Sequence, residues 1–159
     1  MRIHFSNVDF SSSSGPNSFA SRLANQLTID GHNIVDNKQD YDSALIFIEP
    51  SSELNKSARI VQRLDGIWFK PEQFETHNVG IKWAYENCDH VIWQSEFDKK
   101  MTCHHWGSKK GTVIHNGISL SKVKITDLNL IKLRQNYDKI FVSSASWHRQ
   151  KRLRENIEV

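Results

Sequence analysis

Short apolar runs recur along the chain and predict the strands of a sheet. They cover residues 2–6, 32–36, 44–49, 59–64, 90–95, 112–115 and 140–144. Several of them, such as ALIFI and VIW, are apolar at nearly every position instead of alternating with polar residues. That pattern is typical of strands covered on both faces, and therefore of a parallel sheet.

Helical spacing of apolar residues occupies the gaps between these strands. In residues 16–30, Phe19, Leu23 and Leu27 recur at every fourth position. A second helix is predicted over residues 77–87, where the apolar side chains share one face. Strands that alternate with helices of about 10–15 residues predict an α/β fold with a Rossmann-like, doubly wound parallel sheet.

A third helix has signals at both ends. Ser95 and Asp98 have the spacing of a capping box, and Gly107 suits the position after the last turn. A short fourth helix is predicted over residues 128–136.

The chain is expected to hold one domain and the start of another. The HNGISL segment ends the sixth predicted strand with an Asn-Gly turn, and a polar hinge over residues 116–137 follows. Residues 1–137 are therefore predicted to form an N-terminal domain that includes this hinge. Residues 138–159 hold a new strand and the start of a helix without partner strands, so we expect them to open an incomplete second domain.

The composition argues against a disulfide-rich protein and a membrane-spanning protein, and it gives no indication of a nucleic-acid-binding protein. The 159 residues include 25% charged residues, a net charge of +3 and two cysteines, Cys88 and Cys103. Two cysteines are too few for a disulfide scaffold and suit a reducing cytoplasm. No apolar run approaches the roughly 18 residues that a membrane span needs, so no transmembrane segment is expected. The net charge is too small to indicate a nucleic-acid partner by itself.

A small-residue loop, SSSSGPNSF, follows the first strand and places Gly15 at the start of a helix. Free backbone N–H groups and the helix dipole favour an anion at such a position. The loop matches neither the G-x-G-x-x-G fingerprint nor the P-loop. Two interpretations stay open, a phosphate-binding loop and a serine-rich surface turn.

Basic residues crowd the end of the chain, where SWHRQKRLR follows the last predicted strand. His148, Arg149, Lys151 and Arg152 lie where a strand gives way to a helix, a position suited to gripping a diphosphate. The alternatives are a solvated basic helix face and, for the whole chain, a nucleic-acid-binding α/β module that uses this segment.

Five motifs in order resemble the retaining family 4 glycosyltransferases, which have the two-domain GT-B architecture. They are SSSGPNSF, RLDG, CDHVIWQSEF, VIHNGI and SWHRQKRLRENIE. The resemblance implies that a nucleotide-sugar donor binds between two Rossmann-like domains, and that the N-terminal domain binds most of the acceptor. It implies a saccharide, a lipid-linked or another hydroxyl acceptor, no nucleic acid, no cofactor apart from the co-substrate, and no metal site.

The resemblance also implies roles for particular residues. Asp65 and Lys151 are the expected catalytic residues. The donor diphosphate is expected to contact Ser14, Gly15, Asn17, Arg149 and Lys151. The acceptor cleft is expected to contain Arg63, Asp65, Gln94, Ser95 and Glu96.

The chain departs from the family pattern at three places. Asp65 stands where the family has a cleft histidine, Arg149 and Lys151 are closer together than usual, and Arg152 replaces a glycine. The family's paired glutamates of the second domain are absent, so the chain by itself is expected to be inactive. Arg63 and Asp65 could instead form a local structural salt bridge beside the turn at Gly66.

Other candidate sites are less well supported by the residues. Cys88, His90, Cys103, His104 and His105 lack the spacing of a zinc site, and neighbours on a helix point about 100° apart. A flavodoxin-like or regulator domain would need an acidic cluster or flavin loop at the strand ends, and neither is evident.

The tryptophans suggest core packing more than base stacking. Trp68, Trp83 and Trp93 lie in apolar segments and are expected in the core, whereas Trp147 could line a ligand cleft. The protein is expected in the cytoplasm, either free or at the inner face of a membrane.

Overall fold

The computed structural model describes residues 1–117, 132–133, 135–140 and 154. The chain divides into two compact units, Met1–Gly117 and Ile118–Val159. In the second unit the described helical residues are 132, 133, 135, 136 and 154. The first four lie within the predicted short helix, and the Tyr137 amide donates to the Leu133 carbonyl (3.1 Å). The basic segment apart from Arg154, and the predicted strand over 140–144 apart from its first residue, lie outside the described residues. The domain boundary at residue 137 stays a prediction.

The first unit contains a six-stranded, all-parallel sheet in the order β2-β1-β3-β4-β5-β6. The strands are β1 (Arg2–Ser6), β2 (Asn33–Val35), β3 (Ser43–Phe47), β4 (Arg59–Leu64), β5 (His90–Trp93) and β6 (Gly111–Val113). All six coincide with predicted strands to within two residues at either end. The predicted Rossmann-like parallel α/β sheet is confirmed.

Helices cover both faces of this sheet. They are α1 (Gly15–Ile29), α2 (Pro71–His77), α3 (Val79–Asn87) and α4 (Glu96–Trp106). Helix α1 buries Ala20 and Ala24 against Phe5 and Phe47 on one face. On the other face, α3 and α4 pack against a larger cluster that contains the fully buried Trp93. This two-sided burial explains why the strands are apolar at nearly every position.

The helix predicted over residues 77–87 is confirmed as α3, which begins at Val79, whereas the preceding helix α2 was not predicted. They meet at Asn78, which is 3% exposed and ends α2. Its side-chain oxygen accepts from the Trp68 amide (3.0 Å), and its side-chain nitrogen donates to the carbonyls of Trp68 and Phe74 (2.9 Å each). The buried amide side chain binds the loop before α2 and the end of α2 together, which holds the break in place.

The direction of the chain reverses between β1 and β3. From β1 the chain moves outward to β2, and from β3 it moves in the opposite direction through β4 and β5 to β6. Because all strands are parallel, the loops after β1, β4 and β5 leave the sheet at one edge, the carboxyl edge. In open α/β sheets, ligands bind in the crevice at such a reversal.

The crossover from β3 to β4 contains no helix. Residues 48–58 cross the face of the sheet as an irregular segment that buries Leu54 and Ala58. The Asn55 amide donates to the Tyr41 hydroxyl (2.6 Å) and anchors the middle of this segment. A helix normally fills this place in a parallel sheet.

Candidate functional site at the carboxyl edge

Arg63 is the charged residue at the centre of the carboxyl edge. It lies near the end of β4, opposite Phe47 of β3, and is only 5% exposed. Its guanidinium carbon lies 4.3 Å from the ring centroid of Phe19 and 5.4 Å from that of Phe47. Burial lowers the pKa of Arg63, and nearby Asp65 opposes that shift. An arginine keeps its charge in proteins, so a cation is held between aromatic rings beside the strand reversal.

The guanidinium of Arg63 has few polar partners. Nη1 lies 3.9 Å from the Asp65 carboxylate, and Nη2 donates to the Asn116 side-chain oxygen (3.3 Å). Nη1 is buried and has no hydrogen-bond partner among the described residues. The local ion pair that the sequence allowed is therefore present but loose. A buried, incompletely paired cation costs stability.

Asn116 and His115 connect this cation to the end of β5. The Asn116 amide donates to the Gln94 side-chain oxygen, while the Arg63 guanidinium donates to the same Asn116 side chain. His115 Nδ1 lies 3.0 Å from the Gln94 carbonyl, which can only accept, so Nδ1 is the protonated nitrogen. In the neutral ring Nε2 is then an acceptor. Together, Arg63, Asp65, Gln94, His115 and Asn116 form what we call the edge network.

Sequence reasoning identified three members of the edge network and missed two. Arg63, Asp65 and Gln94 were expected in the acceptor cleft, and the structure brings them together. His115 was the last residue of the predicted sixth strand, and Asn116 was assigned to a turn and a hinge. Their only sequence signal was their position at the end of that strand, at the same edge of the sheet.

Ser95 and Glu96 begin α4, and the Ser95 hydroxyl is already in use. It accepts from the Asp98 amide (3.0 Å) as the N-cap of α4, as the sequence predicted. The Asp98 carboxylate does not complete the capping box but accepts from the Thr102 hydroxyl (3.2 Å). Glu96 is exposed at the first position of the helix. Ser95 therefore serves the start of α4, and its role toward an acceptor stays a prediction.

Asp98 is a buried carboxyl group close to the edge network. It is 5% exposed, and its second oxygen has no hydrogen-bond partner among the described residues. Burial raises the pKa of Asp98 to about 6, the Thr102 hydrogen bond opposes this, and the charge of Asp65 adds to it. Asp98 therefore keeps its proton to a higher pH than an ordinary aspartate does.

The serine-rich loop is closed by its own hydrogen bonds. Asp9 accepts from the Ser11 amide (2.9 Å) and hydroxyl (2.6 Å), which lowers the pKa of Asp9. The Asn17 side-chain oxygen accepts from the Asp9 amide (3.1 Å). Gly15 is the first residue of α1, with open space around it, and Ser14 is the N-cap without a side-chain hydrogen bond. These contacts describe an ordered turn, and contact of the loop with a diphosphate stays a prediction.

The strand reversal itself is held by three polar side chains. The Asn7 side chain donates to the Phe47 carbonyl (3.0 Å), and the Asn7 amide donates to the Ser51 hydroxyl (3.0 Å). The Ser51 amide donates to the Ser6 hydroxyl (3.2 Å). Asn7 has a positive φ of 64°, a conformation that asparagine tolerates better than most residues. The ends of β1 and β3 are therefore fixed relative to each other beside Arg63.

Two of the predicted core tryptophans are half exposed. Trp93 is fully buried as expected, but Trp68 is 43% and Trp83 is 44% exposed. In α3 the buried residues Ile81, Ala84 and Tyr85 define the inner face. Helical spacing places Trp83 on the opposite side, which explains the error.

Three residues that the sequence assigns to the ligand cleft, Arg149, Lys151 and Trp147, lie outside the described residues. Their predicted roles stay predictions. Within the described ranges, no group of three or more His, Cys, Asp or Glu side chains is placed to hold a metal ion. No helix in the described part of the chain combines the length and apolar character needed to cross a bilayer.

No protein family model matches this chain, and no curated protein matches it either. A functional conclusion therefore depends on the sequence motifs and on the geometry of the edge network.

Proposed function

We propose that the chain forms the acceptor-binding part of a retaining glycosyltransferase that uses a nucleotide-sugar donor. The observation that carries the proposal is the edge network, in which a buried arginine lies beside Asp65 and donates to Asn116, which in turn donates to Gln94, at the strand reversal of a parallel sheet. The order of motifs that resembles family 4 glycosyltransferases supports the same conclusion. In such folds this edge is where ligands bind.

The groups of the edge network suit a polyhydroxyl acceptor. A sugar hydroxyl both donates and accepts hydrogen bonds, so it needs partners of both kinds. The Asp65 carboxylate, which is 31% exposed, and His115 Nε2 can accept, whereas the Asn116 and Gln94 amides can donate and accept. Asp65 would orient the attacking hydroxyl by accepting its hydrogen bond, and the charge of Arg63, 3.9 Å from that carboxylate, would attract it toward β4.

Retaining transfer of this type requires few catalytic groups from the protein. The acceptor attacks on the face from which the nucleotide leaves, and the departing phosphate takes the proton of the acceptor hydroxyl. A flanking pair of catalytic carboxylates, as in most glycosidases, is then unnecessary. The remaining task is to stabilise the charge that develops on the diphosphate, which fixed cations and backbone N–H groups do well. Lys151, Arg149 and the Gly15 loop are the proposed groups.

A titration of the full chain followed by amide NMR tests the proposal. The probes are methyl and octyl glycosides of glucose, galactose, mannose and N-acetylglucosamine, together with UDP, GDP and their sugar conjugates. We expect at least one glycoside to shift the amides of Asp65, Gln94 and Asn116. Asp65→Asn should weaken that binding by about tenfold, because a hydrogen bond to a charged group is lost. Asp30→Asn, on the exposed C-cap of α1, should leave it unchanged.

Two results would contradict the proposal. The first is a titration in which no glycoside or nucleotide-sugar moves the edge-network amides. The second is binding of duplex DNA or RNA that weakens steeply with salt, which is the signature of phosphate-backbone contacts and would favour the nucleic-acid-binding alternative.

A further inference from the structure

A cavity lies where the crossover between β3 and β4 lacks a helix. It has a volume of about 620 Å³ and lies between the segment 50–56 and helix α3. Because the irregular crossover covers less of the sheet than a helix would, space remains above Ile60. Cavities of this size are typical of sites for small ligands.

Part of the wall of this cavity is apolar and includes an exposed indole. Leu54 and Ile60 are buried and contribute apolar surface, while Trp83 of α3 is 44% exposed. Tryptophan has the largest rigid apolar surface of any side chain, and exposure of that surface to water is unfavourable in free energy. A ligand with a flat apolar face would cover it.

The rim of the cavity carries charges of both signs. Glu53 and Lys56 line it, and neither forms an ion pair with any residue in the described part of the chain. A phosphate would be repelled by the glutamate, and an ammonium compound by the lysine. A neutral ligand that both donates and accepts hydrogen bonds suits both groups. Saccharides combine such hydroxyls with an apolar C–H face.

The crossover segment is held in shape without a ligand. The Tyr41 hydroxyl accepts from the Asn55 amide (2.6 Å), and Asn55 in turn accepts from the Ser57 amide (3.0 Å). The Ser52 hydroxyl accepts from the Asn37 side chain (3.0 Å). A preformed wall lowers the entropy lost on binding.

From these observations we infer that the Trp83 cavity is a binding site for a neutral saccharide, separate from the edge network. The C–H face of one sugar ring stacks on the Trp83 indole, and its hydroxyls hydrogen-bond Glu53 and Lys56. Ser51 lines the cavity, and its hydroxyl also accepts from the Asn7 amide at the strand reversal. This inference goes beyond the proposed transfer and does not depend on it.

The test follows the indole N–H signal of Trp83 in NMR spectra of the full chain. Cellotriose, maltotriose, chitotriose and mannotriose are titrated separately, with UDP and free amino acids as non-saccharide probes. We expect at least one trisaccharide to shift the Trp83 signal saturably. Trp83→Ala should weaken its affinity about tenfold or more, a loss equivalent to about 1.4 kcal/mol.

Two further variants separate binding from folding. Trp68→Ala removes an equally exposed tryptophan that does not line the cavity. The affinity of this variant for the trisaccharide should therefore stay within about twofold of that of the parent. Glu53→Gln leaves the helices untouched and should weaken binding about threefold or more, because it removes one charged hydrogen-bond acceptor.

The inference is overturned if none of the trisaccharides moves the Trp83 signal, or if Trp83→Ala and Glu53→Gln both bind like the parent. It is also overturned if UDP or an amino acid moves this signal and no sugar does. Asp65→Asn should leave the Trp83 titration unchanged. If no glycoside shifts the edge-network amides while a trisaccharide still shifts the Trp83 signal, only the proposed transfer site is rejected. If the reverse is observed, only the saccharide site in the Trp83 cavity is rejected.

Discussion

The guanidinium carbon of Arg63 lies 4.3 Å from the ring centroid of Phe19, so a β4 cation rests on an α1 aromatic face at the strand reversal. A cation–π contact of this kind contributes about 0.5–2 kcal/mol. It does not replace the hydrogen bonds that water would give to the guanidinium, and buried Nη1 has no partner among the described residues. The buried guanidinium therefore adds little to the stability of the fold, and its Nη1 donor is better explained by binding of a ligand.

The first prediction concerns the stability of an Arg63→Met variant. Methionine matches the length of the arginine stem and needs no hydrogen bonds, so a loosely paired buried cation is exchanged for apolar packing. We expect the free energy of unfolding in urea to stay within about 1 kcal/mol of the parent, or to rise. Arg63→Ala, which leaves a cavity between Phe19 and Phe47, should lower it by about 2–4 kcal/mol. A loss above about 3 kcal/mol in Arg63→Met would show that the cation is essential to the fold.

The second prediction concerns pH and Asp98. The folded chain holds the Asp98 proton up to a pKa of about 6, whereas an unfolded chain releases it near the ordinary value of 3.8. Between these values the folded state binds more protons, so the free energy of unfolding falls as pH rises through this range. Asp98→Asn replaces the carboxyl group with an amide that does not titrate, so the variant should not show this fall in the free energy of unfolding. The parent should therefore lose on the order of 2 kcal/mol relative to the variant between pH 4 and pH 7.

Urea unfolding of both proteins across this pH range provides the measurement. Only the difference between them is used, because other titrating groups affect both alike. Parallel stability curves, or a parent that gains on the variant as pH rises, would show that Asp98 is not held in its protonated form.

The third prediction contrasts two glycines. A Cβ at Gly111 of β6 would meet the Trp93 ring and the Val91 carbonyl oxygen, whereas one at Gly15 of α1 would meet nothing. Gly111→Ala should therefore lower the melting temperature, at a cost of about 1–3 kcal/mol, because a packed region is overfilled. Gly15→Ala should leave stability unchanged or raise it by up to about 1 kcal/mol. Equal losses in the two variants would contradict the packing described for β6.

Much of the fold could be predicted because its signals are local. The run from Arg59 to Leu64 forms a strand with the predicted bounds, and four of its six residues are buried. Ser95 and Gly107 delimit α4 as expected, and Gly107 has the positive φ of 86° that favours glycine. Such features depend on neighbours in sequence, where spacing and composition carry the information.

The edge network could not be predicted in full because its contacts are distant in sequence. Arg63 and Asn116 are separated by 53 positions, and nothing near Asn116 indicates that it accepts from a buried arginine. The break at Asn78 was missed for the same reason, because its side chain bonds to Trp68 across the preceding helix. The half-exposed Trp83 shows that an apolar segment does not determine which helix face is buried.

We propose that Arg63 serves ligand binding at the carboxyl edge, and the glycoside titration repeated with Arg63→Met measures this role most directly. The role predicts a variant that unfolds like the parent but binds the active glycoside at least about tenfold more weakly, because Asn116 loses its guanidinium donor and Asp65 loses the neighbouring cation. A folded Arg63→Met variant with the affinity of the parent would contradict it.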